Sequence, residues 1–247
     1  MRARLLSRLA PPLAAAAALA SGCQSMDDAS AVVDRATLVN DLASRLDGSG
    51  QLTYSADYQL SGGRAATIAQ AQEPLRSAYI YPGGKVTVTS EATTACRAEG
   101  AATRCTVTPP PSPANKPAVT LFEDAGAQGL VAPTVVVSLL TAAALDPDAV
   151  VAQSDTTVAG RHATCVQVER VQNAAASEFD ACITTEGVLG SFEGVVNGAA
   201  VDIALTRYRD AVDATAFATP TGATVVDHRP GPSPLLDQGV LHVVLTT

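Results

Sequence analysis

Between Leu52 and Leu60 the chain alternates. Leu52, Tyr54, Ala56, Tyr58 and Leu60 are apolar, and Thr53, Ser55, Asp57 and Gln59 between them are polar. Successive side chains of a strand point to opposite faces, so this run fits a strand with one face in a core and one in water. Similar runs follow, each bounded by turn residues. Ser61-Gly62-Gly63 leads into 64–72, and Glu73-Pro74 interrupts. Runs 77–81 and 85–89 flank Pro82-Gly83-Gly84, and a small-residue turn at 98–102 separates two cysteine-bearing arms. Later, 150–158 and 161–170 flank Ala159-Gly160, 177–184 and 188–196 flank Glu186-Gly187, and Asn197-Gly198 leads into 199–209. Asn-Gly is a strong hairpin signal and predicts a type I′ turn. Hairpins in series predict an antiparallel meander.

Two stretches break this rhythm. In the first, Val32, Ala36, Val39, Ala43 and Leu46 recur at helical spacing, with Ser30 as a capping residue and Asp47-Gly48-Ser49-Gly50 as the stop. This predicts an amphipathic helix over 30–46, packed on the sheet. In the second, Pro133 to Leu145, only Thr134, Ser138 and Thr141 are polar among the residues after the proline. Proline suits a first helical turn, Asp146-Pro147 ends the run, and a helix apolar all round is a buried one. Each half of the chain thus offers a helix followed by strands. A short strand is expected at 118–122, a proline-rich loop at 109–117, and a loose or edge strand at 240–245.

The N-terminus reads as an export signal. Arg2, Arg4 and Arg8 form a basic start, Leu13 to Leu19 is an apolar run too short to span a bilayer, and Ala20-Ser21-Gly22 are small residues before Cys23. Removing 1–22 would leave 225 residues, 13 basic and 24 acidic, with a formal charge of −11. Such a surface does not seek nucleic acid or anionic headgroups by charge. Four further cysteines, Cys96, Cys105, Cys165 and Cys182, suggest two disulfides in an exported chain. Four cysteines allow three connectivities, and the short loops 96–105 and 165–182 are the natural choice. No Cys-x-x-Cys spacing supports zinc, and no metal site or cofactor is expected.

Little catalytic chemistry is visible. No nucleophile elbow, metalloprotease motif, P-loop or dinucleotide fingerprint occurs, and His162, His228 and His242 are scattered. The expectation is a protein that is not an enzyme, with an unrecognised hydrolase as the minor alternative.

Two resemblances sharpen this reading. Leu19-Ala20-Ser21-Gly22-Cys23 resembles the lipobox of bacterial lipoproteins, which implies a mature chain starting at a lipid-modified Cys23. It implies attachment to the extracytoplasmic face of the cell membrane. The scarcity of Lys beside abundant Arg, Ala and Val fits a high-GC bacterium, such as an actinobacterium. Over about residues 30–220, the helix, long meander and inserted apolar helix resemble the half-barrel lipoproteins and lipid carriers related to LprG, LppX and LolA. The carrying points are Tyr54-Ser-Ala-Asp-Tyr58, Gly160 before a cysteine-bearing strand, Cys182 before Glu186-Gly187, and Phe217-Ala-Thr-Pro220.

The expected architecture is therefore α+β, a single strongly curved antiparallel sheet (a half-barrel) with two main helices on its concave face. A flat β-sandwich is the alternative. The expected organisation is a signal peptide over 1–22, a lipidated tether over 23–29, the half-barrel over 30–220 and a proline-rich tail over 221–247. Apolar patterning nominates Tyr54, Tyr58, Leu60, Val86, Val88, Val137, Leu140, Ile203 and Leu205 to line a lipid site. The expected function is an anchored, non-enzymatic carrier or sensor of a lipid or other hydrophobic ligand. The competing expectation is an anchored protein-interaction or regulatory module with a filled core, its protein partner unspecified.

Overall fold

The computed structural model describes residues 21–112 and 118–230. The first meander comprises β1 (Tyr54–Leu60), β2 (Ala65–Gln72), β3 (Leu75–Tyr81), β4 (Gly84–Thr89), β5 (Thr93–Glu99) and β6 (Ala102–Thr108). The second comprises β7 (Val150–Val158), β8 (Arg161–Glu169), β9 (Phe179–Thr184), β10 (Leu189–Val196) and β11 (Ala199–Arg209). A last strand, β12 (Thr224–Asp227), follows. The two meanders meet where β1 pairs with β11, so one open, curled sheet of twelve strands runs β12-β6-β5-β4-β3-β2-β1-β11-β10-β9-β8-β7. Asn197 and Gly198 both take positive φ, as the expected type I′ turn requires.

The helices are α1 (Ser21–Gly48), the short α2 (Glu123–Ala127) and α3 (Pro133–Leu145). Val39, Leu42, Ala43 and Leu46 of α1 join Val135, Val136, Leu139, Leu140 and Ala143 of α3 in a single core against the sheet. Each of the buried Val and Leu side chains among them stabilises by about 1.5–3 kcal/mol before entropy is counted. The helices run antiparallel, because Arg35 near the start of the packed part of α1 reaches the end of α3. Its guanidinium donates to the carbonyls of Asp146 (3.0 Å), Pro147 (3.3 Å) and Ala149. A cation there satisfies carbonyls that the helix leaves open and meets the negative end of its dipole.

Several expectations change. Helix α1 is already formed at Ser21, the first described residue, and does not wait for Ser30, so the stretch expected as a tether over 23–29 is helical backbone. No Gly or Pro lies between Cys23 and Leu46 to stop a helix. The stretch 119–122 is a 3-10 turn rather than a strand. The sheet is mixed rather than purely antiparallel, because β12 lies parallel to β6. The sheet therefore extends past Pro220 into the expected tail. The signal segment lies almost wholly outside the described residues, as do 113–117 of the proline-rich loop and the run 240–245.

To reach β12 from β11 the chain crosses the outer face of the first meander. Val86 and Val88 of β4 belong to the core, so Lys85 beside Val86 points outward, and its Nζ donates to the Ala218 carbonyl at 2.6 Å. Arg76 of β3 likewise points outward and sits over the Phe217 ring, 4.3 Å from its centroid. Burial lowers the pKa of the Lys85 ammonium. Segment 210–223 is thus a strap over the outer face.

Both disulfides are those expected, Cys96–Cys105 and Cys165–Cys182. Each joins directly opposed residues, on β5–β6 and β8–β9 respectively.

Candidate functional site: an apolar pocket at one end of the sheet

The residues nominated as ligand lining lie together, but as packed core. Tyr54, Tyr58, Leu60, Val86, Val88, Leu140, Ile203 and Leu205 are all at most 3% exposed, and Val137 is half-buried against them. The Tyr58 hydroxyl donates to the Leu189 carbonyl at 2.9 Å. Tyr54 stacks on Tyr208 with centroids 5.9 Å apart. Burial pushes the phenols of Tyr54 and Tyr58 well up, and that of Tyr79 to about 12, so all three are neutral donors. The α1 and α3 side chains fill the groove. Near the facing ends of the two helices a cavity of about 40 Å³ remains, lined in part by Tyr54 and Val137 but also by Ser49, Gln70 and Thr134. That suits one or two waters, not an acyl chain.

The end of the sheet beside Tyr208 is closed by polar contacts. Arg161 lies over the Tyr208 ring, 3.9 Å from the centroid, and pairs with Glu186. Burial raises the Glu186 pKa, but hydrogen bonds from its own backbone N–H and from Thr184, with Arg161 beside it, outweigh this and hold the carboxyl below its usual range. The neighbouring Gly187 has φ +88, and a Cβ there would fall 2.4 Å from the Arg45 carbonyl oxygen of α1. Only glycine allows this approach.

The opposite end is open and apolar. A pocket of about 510 Å³ is framed by the 3-10 turn and α2, by the start of α3, and by the β10–β11 hairpin. Phe122, Leu130, Val131, Val135, Val196 and Val201 form most of its wall. Phe122 is anchored edge-to-face on Tyr79, 4.6 Å between centroids. Gly129, at φ +90, reverses the chain after α2, and the Leu130 N–H closes the turn on the Ala125 carbonyl at 2.9 Å. Pro133 then starts α3. The tight Asn197-Gly198 turn sets Val196 and Ala199 at the rim. Glu123 is the single charged residue among the lining side chains. The size and apolar wall match a small-ligand site. A wider open groove, about 740 Å³, beside Arg35, Asp148 and Arg170 is mostly polar.

None of the nominated ligand residues lines the end pocket. Val201 continues the alternation of Ile203 and Leu205, but the turn that makes it a rim residue is a matter of position along the strand. Phe122 ends the stretch expected as a strand, whereas Leu130 and Val131 sit in a stretch without helical or strand period. The one sequence signal of Leu130 and Val131 is the cluster of apolar residues just before Pro133. Cys23, the expected site of lipid attachment, lies in the first turn of the described part of α1. Among the described residues, no group of three or more His, Cys, Asp or Glu side chains is placed to hold a metal ion.

No protein-family model matches the sequence, and no curated protein matches it. The resemblance to the LprG, LppX and LolA group therefore has no sequence-family support. Among solved structures, the chain is similar to MucB, at 14% identity over 77% of this chain and 66% of that one, with a TM-score of 0.46. It is similar to the MucA/MucB complex of Pseudomonas aeruginosa, at 15% identity over 76% and 63%, with a TM-score of 0.43. It is also similar to an uncharacterised conserved protein from Thermus thermophilus, at 12% identity over 81% and 98%, with a TM-score of 0.41. The chain spans just under two-thirds of the MucB chains it matches. Similarity at this level carries no statement about activity or partners.

Proposed function

We propose that this chain is a membrane-anchored, extracytoplasmic binding protein without enzymatic activity, and that it holds the apolar end of a hydrophobic ligand in the pocket beside Phe122 and Val201. The observation that carries this reading is the location of free apolar volume. The long groove under α1 and α3 is occupied by the protein's own side chains, whereas about 510 Å³ stays open at the sheet end. An acyl chain laid along the groove, as in a half-barrel carrier, has no room. A single acyl tail or similar group entering from the open end does. Lipid attachment at Cys23 supplies the address: two acyl chains hold a bilayer stably, where one is marginal.

Mass spectrometry of a lipid extract from the purified protein tests the ligand. Co-purifying acyl lipid in the parent, reduced in Ala199→Trp with the disulfides intact, supports the proposal. An extract without lipid opposes it. Cys23→Ala tests the anchor, and it is expected to abolish lipidation and leave the chain unprocessed or shed. A Cys23→Ala chain that is still processed and membrane-bound removes the anchor from the proposal. The packed groove also favours a second reading, an anchored protein-interaction module with no small ligand, and an empty extract would bring that reading forward.

A further inference from the structure

The two edges of the sheet are finished differently. One ends in the four residues of β12. The other is the nine-residue β7, which among the described residues pairs with β8 alone, and its residues 152–157 are exposed. Natural edges are guarded by Pro, Lys or bulges. The sequence Val-Val-Ala-Gln-Ser-Asp-Thr-Thr-Val has no Pro or Lys, and its register with β8 is unbroken. The turn Ala159-Gly160 has two residues, both at positive φ, between Val158 and Arg161. Such a turn makes its flanking residues a hydrogen-bonded pair. Backbone groups alternate along a strand, so those of Val158, Thr156, Ser154, Ala152 and Val150 turn to β8. Those of Val151, Gln153, Asp155 and Thr157 turn to the free edge.

We propose that this edge pairs, antiparallel, with the β7 of a second copy of the chain about a two-fold axis at Ser154, which joins two sheets into one. This register sets Gln153 opposite Asp155 of the second copy, Val151 opposite Thr157, Ala152 opposite Thr156, and Val150 opposite Val158. The residues whose backbone groups are free are then the ones that face each other in hydrogen-bonded pairs. Ser154 meets its copy in a non-hydrogen-bonded pair, where side chains come closest. The strand carries one charge, on Asp155, and here it faces an amide that can donate to it. An axis at Asp155 would oppose two carboxylates, which is repulsive. An axis at Gln153 would run Thr157 off the partner strand onto Ala149, which is buried. The strand is therefore complementary to itself in one register.

Cysteine cross-linking of the full exported chain in its membrane tests the register. Ser154→Cys is expected to give a covalent dimer on a non-reducing gel. Ala152→Cys and Thr156→Cys are each expected to give none alone, but a dimer when co-expressed. Adding Gln153→Pro, which removes an N–H that points away from β8, is expected to abolish the Ser154→Cys dimer with little change in melting temperature. Monomer alone from Ser154→Cys, with both native disulfides formed, would overturn the proposal. So would equal cross-linking by all three single variants.

Discussion

The two meanders share a plan of hairpins and a cross-strand disulfide, yet they are buried to different degrees. In the first, β2 to β4 are buried on both faces: Ala69, Ala78 and Thr87 on the outer face are nearly as hidden as Ile68, Tyr79 and Val86 on the inner. In the second, β7 is exposed along most of its length. Cys96 and Cys105 are buried, while Cys165 and Cys182 are half-exposed. The difference lies in what crosses the outer face. The 210–223 strap covers the first meander with Phe217 and Ala218, and β12 extends its edge. Nothing among the described residues does this for β7. Hairpin patterning sets the strands, but a later segment decides which strands have two buried faces.

The largest expected effect comes from placing the same charge on the outer face of each half. Ala78→Asp buries an unpaired carboxylate and is expected to cost about 3–5 kcal/mol. Thr156→Asp, on exposed β7, should stay within about 0.5 kcal/mol. Equal losses in denaturant melts would mean the strap does not cover the first meander.

Next come the staples. Replacing both cysteines of either pair by Ala is expected to cost about 3 kcal/mol in the chain-entropy model, since the loops differ little in length. Reduction should instead separate them. Cys165–Cys182 should open first in mild reductant, because attack needs access to a sulfur. Timed alkylation with peptide mapping gives the order, and earlier opening of Cys96–Cys105 would contradict the burial difference.

Phe217→Ala tests the strap directly. It removes the ring beneath Arg76 and should cost about 1 kcal/mol. Hydrogen exchange should rise over 213–220 and β12 while β7 to β9 stay unchanged. A uniform rise would make the strap part of the global core.

The smallest effect belongs to the end of α3. The Asp146 carboxylate accepts from the backbone N–H of Gln172 (2.6 Å) and of Asp148 (2.9 Å), and these bonds hold its pKa below the usual 3.8. The folded pKa is depressed, so this stabilisation is present above the unfolded value and is lost as pH falls through the folded one. Asp146→Asn should lower the melting temperature at pH 7 and flatten the acid side of the stability–pH curve. An unchanged acid limb would show that the carboxylate does not contribute.

Much of this frame is legible in the sequence because it rests on local rules. The alternation at Tyr54 to Leu60, the Asn197-Gly198 turn, the apolar run at 133–145 and the even set of cysteines each carry their own physical signal. The pairing of β1 with β11, which joins the halves, depends on contacts some 150 residues apart and leaves no local pattern. Pattern places the start of α1 too late, because Ser30 is a good cap within a stretch that has no reason to stop being helical. The nominated ligand residues are the apolar faces of strands and helix, and those faces become the core. Pattern identifies what is buried, but not whether a partner side chain or a ligand does the burying. The end pocket is lined by Phe122, in a 3-10 turn that pattern reads as a strand, and by Leu130 and Val131 in an irregular segment where no period exists to read.

If the free apolar volume lies at the open end and not in the groove, a fluorescent fatty-acid analogue should distinguish the parent, Ala199→Trp and Val137→Trp proteins. Saturable binding is expected for the parent, its loss in Ala199→Trp, and its retention in Val137→Trp. The last variant should instead melt lower from overpacking, by about 1–3 kcal/mol of stability. Binding that survives Ala199→Trp but disappears in Val137→Trp would place the ligand in the groove instead of the end pocket.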